Sequence, residues 1–327
     1  MTARARHTAA PGLYHAAPSA RGRVAQPRPV AAWFAVLLLR GLALLPFPAI
    51  YRIGGALGRI GASLPLRPVR FAATTIRMCL PSLSARDRGA LVRRSTAESI
   101  RAICELGALW TWDRDRVLGL VREVRGGEHF DAAIVGGRGV ILVSPHLGSW
   151  ELLGLYCSAR HPIASLYTRP AATLLERFYE TGRARFGARL VPATAGGMRA
   201  LVRALADGQS VGIIPDQDPR GGAGVFVPFF GVLANTTTLV SRLAQQTGAP
   251  VVLAYAERLP HGAGFRLHFS PASRAVYEPD VAVSAGALNL DIERLVRACP
   301  EQYLWSYRRF RVRPDGEANP YTRSADA

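Results

Sequence analysis

The chain has no lysine: all 41 of its basic side chains, in 327 residues, are arginine. That absence excludes a Walker A phosphate loop, a pyridoxal Schiff base and a lysine nucleophile, each of which needs an amine. Arginine's planar fork suits phosphates and carboxylates instead. Acidic residues are few, 23 in all, which leaves a formal net charge of +18. Such an excess points to an acidic partner: nucleic acid, an anionic membrane or an acidic carrier protein. Arginine is spread along the whole chain with no aromatic-basic RNA motif, and basic segments alternate with long apolar runs. That pattern favours a membrane over nucleic acid. The four cysteines, Cys79, Cys104, Cys157 and Cys299, form no CxxC pair. A zinc site or disulfide framework is therefore not expected, and they read as small buried residues in a reducing compartment.

Residues 1–30 are rich in Ala, Pro and Arg, hold no acidic residue and show no apolar periodicity. They read as a disordered basic extension. Residues 31–50 form an apolar stretch interrupted only by Arg40. Its length suits a membrane helix of roughly 20 residues, and it lacks a signal-peptide cleavage site. Arginines lie on both sides, Arg21, Arg23 and Arg28 before it and Arg52, Arg59 and Arg67 after it. The positive-inside rule holds both flanks in the cytoplasm, and Pro46 and Pro48 disturb a straight helix. The expected anchor is a helix that dips into one leaflet or lies at the interface.

Residues 51–327 are expected to form the main domain, with 49% hydrophobic residues in the chain to fill its core. Residues 85–125 read as helical. Strand-like runs follow at Val140–Val143, Ile163–Tyr167, Leu190–Val191 and Ser210–Ile214, separated by amphipathic stretches at Leu152–Cys157, Leu174–Phe186 and Met198–Ala206. Val251–Ala256 and Phe265–Phe269 flank Pro260-His-Gly262 as a hairpin, and a helix over Thr236–Thr247 stops before Gly248. The fold class is α/β: a largely parallel central sheet flanked by helices, preceded by an N-terminal membrane-associated helical segment.

Chemistry concentrates at the ends of two of these strands. Val140–Val143 runs into Ser144-Pro145, so His146 falls just past the strand's carboxyl end, where open α/β sheets bind ligands. Gly148 or Ser149 can cap a new helix, placing Glu151 in its first turn. A carboxylate there stays ionised and can hold an imidazole's tautomer and support its protonated form. Alone, the spacing also fits a loop histidine and a helix-capping glutamate. A second strand, ending at Pro215, delivers Asp216 and Asp218 to the same edge if it runs parallel; a turn with local side-chain hydrogen bonds is the other reading. Val225–Gly231, containing Phe230, is suited to lining an acyl channel. Arg169 follows the strand ending at Tyr167.

Several segments resemble one family. His146-Leu-Gly-Ser-Trp-Glu151 is similar to the HxxxxE box of the bacterial lipid A biosynthesis (late) acyltransferases. Asp216-Gln-Asp218, Phe226-Val-Pro-Phe-Phe-Gly231 and Pro300-Glu-Gln-Tyr-Leu-Trp305 with Arg308-Arg309-Phe310 resemble its later blocks, over about residues 33–316. The resemblance implies transfer of a fatty acyl group from acyl carrier protein to a hydroxyl of a lipid A precursor. It makes His146 the general base and Glu151 the group that orients and charges it. Arg169 would hold phosphate or the developing oxyanion, and Asp216, Asp218 and Phe230 would contact substrate. Implied partners are acyl carrier protein, an anionic glycolipid acceptor and inner-membrane lipids, with no nucleic acid. No metal or bound organic cofactor is implied. The setting would be a bacterial inner membrane, with the catalytic domain on its cytoplasmic side. Ser149 stands where the family usually has asparagine, and residues 1–30 extend beyond its usual start.

Three other readings differ in acceptor or class, one of them a non-catalytic membrane- or nucleic-acid-binding protein driven by arginine charge. An acyltransferase for another membrane lipid would use a similar box, although the Pro300–Trp305 block favours the lipid A branch. A lipid hydrolase would put water in the acceptor's place.

Overall fold

Alternation within Val140-Ile-Leu-Val143 sets the frame of the molecule. Val140 and Leu142 turn to one side of a sheet, Ile141 and Val143 to the other, and all four are buried. A strand covered on both faces belongs at the centre of a helix-flanked sheet. The computed structural model describes residues 29–167, 174–219 and 224–322.

Four helices lead in: α1 (Pro29–Leu42), α2 (Phe47–Ala62), α3 (Arg67–Cys79) and the long α4 (Ala85–Thr111), followed by the short α5 (Arg114–Leu118). Then come β1 (Val121–Arg125), α6 (Gly127–Val135), β2 (Val140–Val143), α7 (Trp150–Arg160), β3 (Ile163–Tyr167), α8 (Leu174–Ala184), β4 (Arg189–Pro192), α9 (Ala195–Ala206) and β5 (Ser210–Ile213). A hairpin of β6 (Gly224–Phe229) and β7 (Val232–Thr237) stands apart from the main sheet. The chain closes with α10 (Leu239–Thr247), β8 (Val251–Arg258), β9 (Phe265–Pro271) and α11 (Val281–Ala298).

The sheet order is β1-β9-β8-β2-β5-β3-β4, parallel throughout except for the antiparallel β8–β9 pair. The expected α/β architecture with a largely parallel sheet is therefore present, and β2, β3, β4 and β5 fall where the strand-like runs put them. One core, on the side of α1, α2, α7 and α8, holds Leu142, Leu152 and Phe178. The other, on the side of α9, α10 and α11, holds Ile141, Leu201 and Leu243.

Three expectations change. The helical reading of 85–125 ends at Leu118, because Val121–Arg125 pairs with β9 at the sheet edge. With two apolar residues in five, that strand carries no periodic signal. The helix before Gly248 begins at Leu239, since Thr236 and Thr237 complete the pairing of β7 with Val225 and Gly224. The apolar stretch 31–50 is two helices, broken before Pro46, with Pro48 in the first turn of α2. Among the described residues no helix is long and apolar enough to cross a membrane. Ala32, Val36 and Leu39 of α1 are buried, while Trp33, Phe34, Leu37 and Leu38 are exposed. Residues 1–28 of the expected basic extension lie outside the described residues.

Candidate active site

β2 and β5 run parallel with Val143 level with Ile213. Ser144 N–H still donates to Ile213 O (3.0 Å), and Pro145, having no N–H, ends the ladder. His146 and Asp216 thus leave neighbouring strands at the same level.

They lock together through two bonds. The His146 backbone N–H donates to Asp216 Oδ2 (2.9 Å), and ring Nδ1 lies 2.8 Å from Oδ1. A carboxylate only accepts, so Nδ1 carries a proton, and in the neutral ring Nε2 then keeps its lone pair. The Gln217 amide Nε2 lies 3.1 Å from that ring nitrogen and donates to it. Burial works to raise the Asp216 carboxyl pKa, but the His146 ring, its two hydrogen bonds and Arg309 outweigh it and leave it below the usual value. The Tyr303 hydroxyl also contacts Asp216; burial first, then the Asp216 charge, pushes its pKa far up.

Glu151 takes a different partner from the one its spacing suggested. It sits in the first turn of α7 and faces α8, where it accepts from Arg183 Nε (2.9 Å) and Nη2, and from Trp150 Nε1 (3.0 Å). The carboxylate set against the imidazole is Asp216, because strand register puts it level with the ring while α7 carries Glu151 away towards α8. Burial works against the Arg183 charge, and the Glu151 carboxylate more than offsets it, holding the guanidinium pKa above its usual value. Ser149 occupies the N-cap position but caps nothing; its hydroxyl donates to Glu105 Oε1 (2.6 Å).

The loop between β2 and α7 is braced from below. Arg258 donates to Glu105 (2.6 and 2.9 Å) and to Gly148 O (2.8 Å), and both charged side chains are buried. Gly148 has φ 62°, and a Cβ there would lie 2.0 Å from Ala256 O, so only glycine fits. Pro300–Trp305 lies against the same loop: Leu304 N–H donates to His146 O (3.0 Å) and Gly148 N–H to Gln302 O (3.1 Å).

Asp218 reaches the same edge, buried beside Arg309 (3.4 Å). Burial raises its pKa to about 6 despite the neighbouring Arg309 and Arg311. Phe230 does not reach the site. It turns the β6–β7 hairpin at φ 51°, donates its N–H to Glu293 (2.6 Å) and packs against Trp305. No residue of 225–231 lines the cavity, because the hairpin covers α11 instead. Arg169 lies outside the described residues.

A cavity of about 1320 Å³ opens over these groups. His146, Trp150, Glu151, Arg183, Gln217 and Asp218 line its polar part, and leucines and isoleucines of β2, β3 and α7 its apolar part. The spacing GxSxG of serine hydrolases occurs at Gly208–Gly212, but Ser210 opens β5 fully buried, with its hydroxyl on His161 Nδ1 (3.0 Å). It is no strand-to-helix elbow, and it lies at the opposite end of β5 from Asp216.

The family model described as bacterial lipid A biosynthesis acyltransferase matches residues 18–312. The chain belongs to that family. Among relatives, the lipid A biosynthesis lauroyltransferase of Escherichia coli (strain K12) is 29% identical over 296 residues, 90% of this chain and 96% of its own. The palmitoleoyltransferase of the same strain is 30% identical over 299 residues (90% and 95%), and the myristoyltransferase 27% over 304 (91% and 92%). The resemblance read from the four sequence blocks is borne out, and the chain is an acyltransferase of lipid A biosynthesis type. Within this acyltransferase the sequence passed over Arg183, Gln217, Glu105 and Arg258. Arg183 and Arg258 are two of 41 arginines, and nothing in their local sequence marks them. Gln217 was in view, between the two aspartates.

Proposed function

We propose that the chain moves a fatty acyl group from the thioester of acyl carrier protein to a hydroxyl of a lipid A precursor, with His146 as general base. The observation that carries this is the His146–Asp216 lock, which fixes the proton of the neutral ring on Nδ1 and so makes Nε2 the basic nitrogen, in the cavity of a lipid A acyltransferase family member. The acceptor hydroxyl replaces the Gln217 amide at Nε2 and gives up its proton there as its oxygen attacks the thioester carbon. The tetrahedral intermediate then collapses, the carbon–sulfur bond breaks, and the imidazolium returns the proton to the departing thiolate. Asp216 supports the imidazolium. The step balances with the chain's own groups and needs no cofactor.

The Glu151–Arg183 pair presents a guanidinium in the cavity wall, suited to phosphate or to the developing oxyanion. The glycolipid acceptor and the carrier protein are both anionic, which fits the net charge of +18. The chain lies on the cytoplasmic leaflet of a bacterial inner membrane by the exposed apolar face of α1, in the plane of the interface. α1 packs beside α8, whose Tyr179 and Arg183 line the cavity, so a lipid at that face is next to the site.

The test is transfer itself. The purified chain, acyl carrier protein loaded with labelled fatty acid and a lipid A precursor are combined, and product mass is read. A mass gain of one acyl group that vanishes in His146→Ala is expected. Acylation of a glycerophospholipid instead, or acyl release to water at a comparable rate, would overturn the assignment.

A further inference from the structure

The cavity does not stop at the carboxyl edge of the sheet. Tyr167, the last residue of β3, and Ile163, its first, both line it. Four steps of about 3.3 Å give a depth on the order of 13 Å. Ile163, Leu142 of β2 and Leu153 and Leu155 of α7 line the inner part, each 3% exposed or less. His146, Glu151 and Asp218 stand at the other end. The inner part is therefore a recess under α7, apolar apart from Ser165, that starts at the reacting centre.

Gly154 stands in its wall. It lies three residues beyond Glu151, on the same face of α7 and about 4.5 Å farther along the axis. A Cβ at Gly154 meets no heavy atom within 4 Å. Gly212, in the same cavity's lining, is different: a Cβ there would lie 2.8 Å from Ser165 Oγ. At Gly154 the missing side chain leaves space, whereas at Gly212 it avoids a collision.

We propose that this recess takes the tail of the donor acyl chain and that Gly154 decides how long a chain enters. This rests on the acyl-transfer reading above. With the acceptor hydroxyl at His146 Nε2, the thioester carbon must sit against that hydroxyl's oxygen, and the recess leads inward from there, largely apolar. The acceptor offers a hydroxyl on a charged headgroup, which suits the polar mouth. Any side chain at 154 would fill the recess just below Glu151. It would shut out the distal methylenes of a long chain and spare a short one.

The experiment uses the full chain, one fixed acceptor, and acyl carrier protein loaded with saturated chains of increasing length. Values of kcat/KM are compared for the wild type, Gly154→Ala and Gly154→Leu. One methylene in an apolar pocket is worth about 10- to 200-fold in discrimination. The leucine variant is thus expected to lose the longest donor the wild type uses by at least about tenfold relative to a shorter donor, with the alanine variant between. Removing a glycine from inside α7 favours the helix, so the variants fold; thermal midpoints check this, and the alanine variant is read alone if leucine fails. An unchanged length ratio, or an equal loss on every donor in a folded variant, overturns the proposal while leaving the acyl-transfer reading intact. A wild type that transfers from none of these donors overturns both.

Discussion

Ring Nδ1 of His146 and Oδ1 of Asp216 lie 2.8 Å apart although 70 residues separate them in the chain. The same carboxylate also holds the His146 backbone N–H, so ring and main chain are fixed by one side chain. Asp216→Asn offers an amide where a charge stood, and an amide can hold the ring in the wrong tautomer. Such a change is expected to lower kcat by about 10²- to 10⁴-fold with a small effect on KM. Glu151→Gln acts through Arg183 and is expected to show mainly in KM. Steady-state kinetics of the two variants decide; equal splits in both would contradict the separate placements.

How much of this was readable beforehand depends on whether a contact is local or set by register. Val140–Val143 was legible because burial on both faces demands an unbroken β-branched and aliphatic run, and Ser210–Ile213 because its Val211 and Ile213 lead into Ile214 and a proline. Their proline ends marked where His146 and Asp216 leave the sheet. Which carboxylate meets the imidazole was not legible: Glu151 is near in sequence, but its helix turns it towards α8, and only the parallel pairing of β2 with β5 brings Asp216 level. Phe230 misled for a related reason. An apolar segment looks the same whether it lines a cavity or covers a helix, and this one covers α11.

Arg258 is buried with Glu105 and Glu98 as its ionic partners. Removing the cation leaves Glu105 buried without a cation, while Glu98 keeps Arg101, and is expected to cost about 3–5 kcal/mol of stability in Arg258→Met. The double variant Arg258→Met/Glu105→Gln should recover a large part of that loss, since the buried charge goes with its partner. Chemical denaturation of both variants measures it. If Arg258→Met unfolds at wild-type denaturant concentration, the cluster is not what braces the His146 loop.

Asp218 gives a pH dependence with a definite sign. Its pKa is raised by burial from 3.8 to about 6, so the folded state holds the proton more tightly than the unfolded chain. Its contribution to stability is therefore fully present below pH 3.8 and is lost as pH rises through about 6. At about 1.4 kcal/mol per pH unit, the change across that window is about 3 kcal/mol. Asp218→Asn does not titrate. The stability difference between wild type and variant should slope through this window and level off on either side, and a flat difference would remove Asp218 from the account.

The exposed face of α1 can be separated from its buried one. Trp33, Phe34, Leu37 and Leu38 are 56–67% exposed, whereas Val36 and Leu39 hold the helix in the core. Replacing the four exposed residues by serine should leave the thermal midpoint within a few degrees, because the packed side is untouched. Burial of each such side chain in a bilayer interface is worth up to about 1.5–3 kcal/mol, so binding to phospholipid vesicles should fall by at least about 100-fold. Exposed arginines on and beside α1 and α2, such as Arg40, Arg52 and Arg59, add an attraction to anionic lipid that salt screens. The two contributions separate in a salt titration: wild-type binding at high salt reports the apolar face alone. Vesicle sedimentation at low and high salt therefore decides the matter. If the serine variant binds as well as the wild type at high salt, α1 is not the surface that meets the membrane.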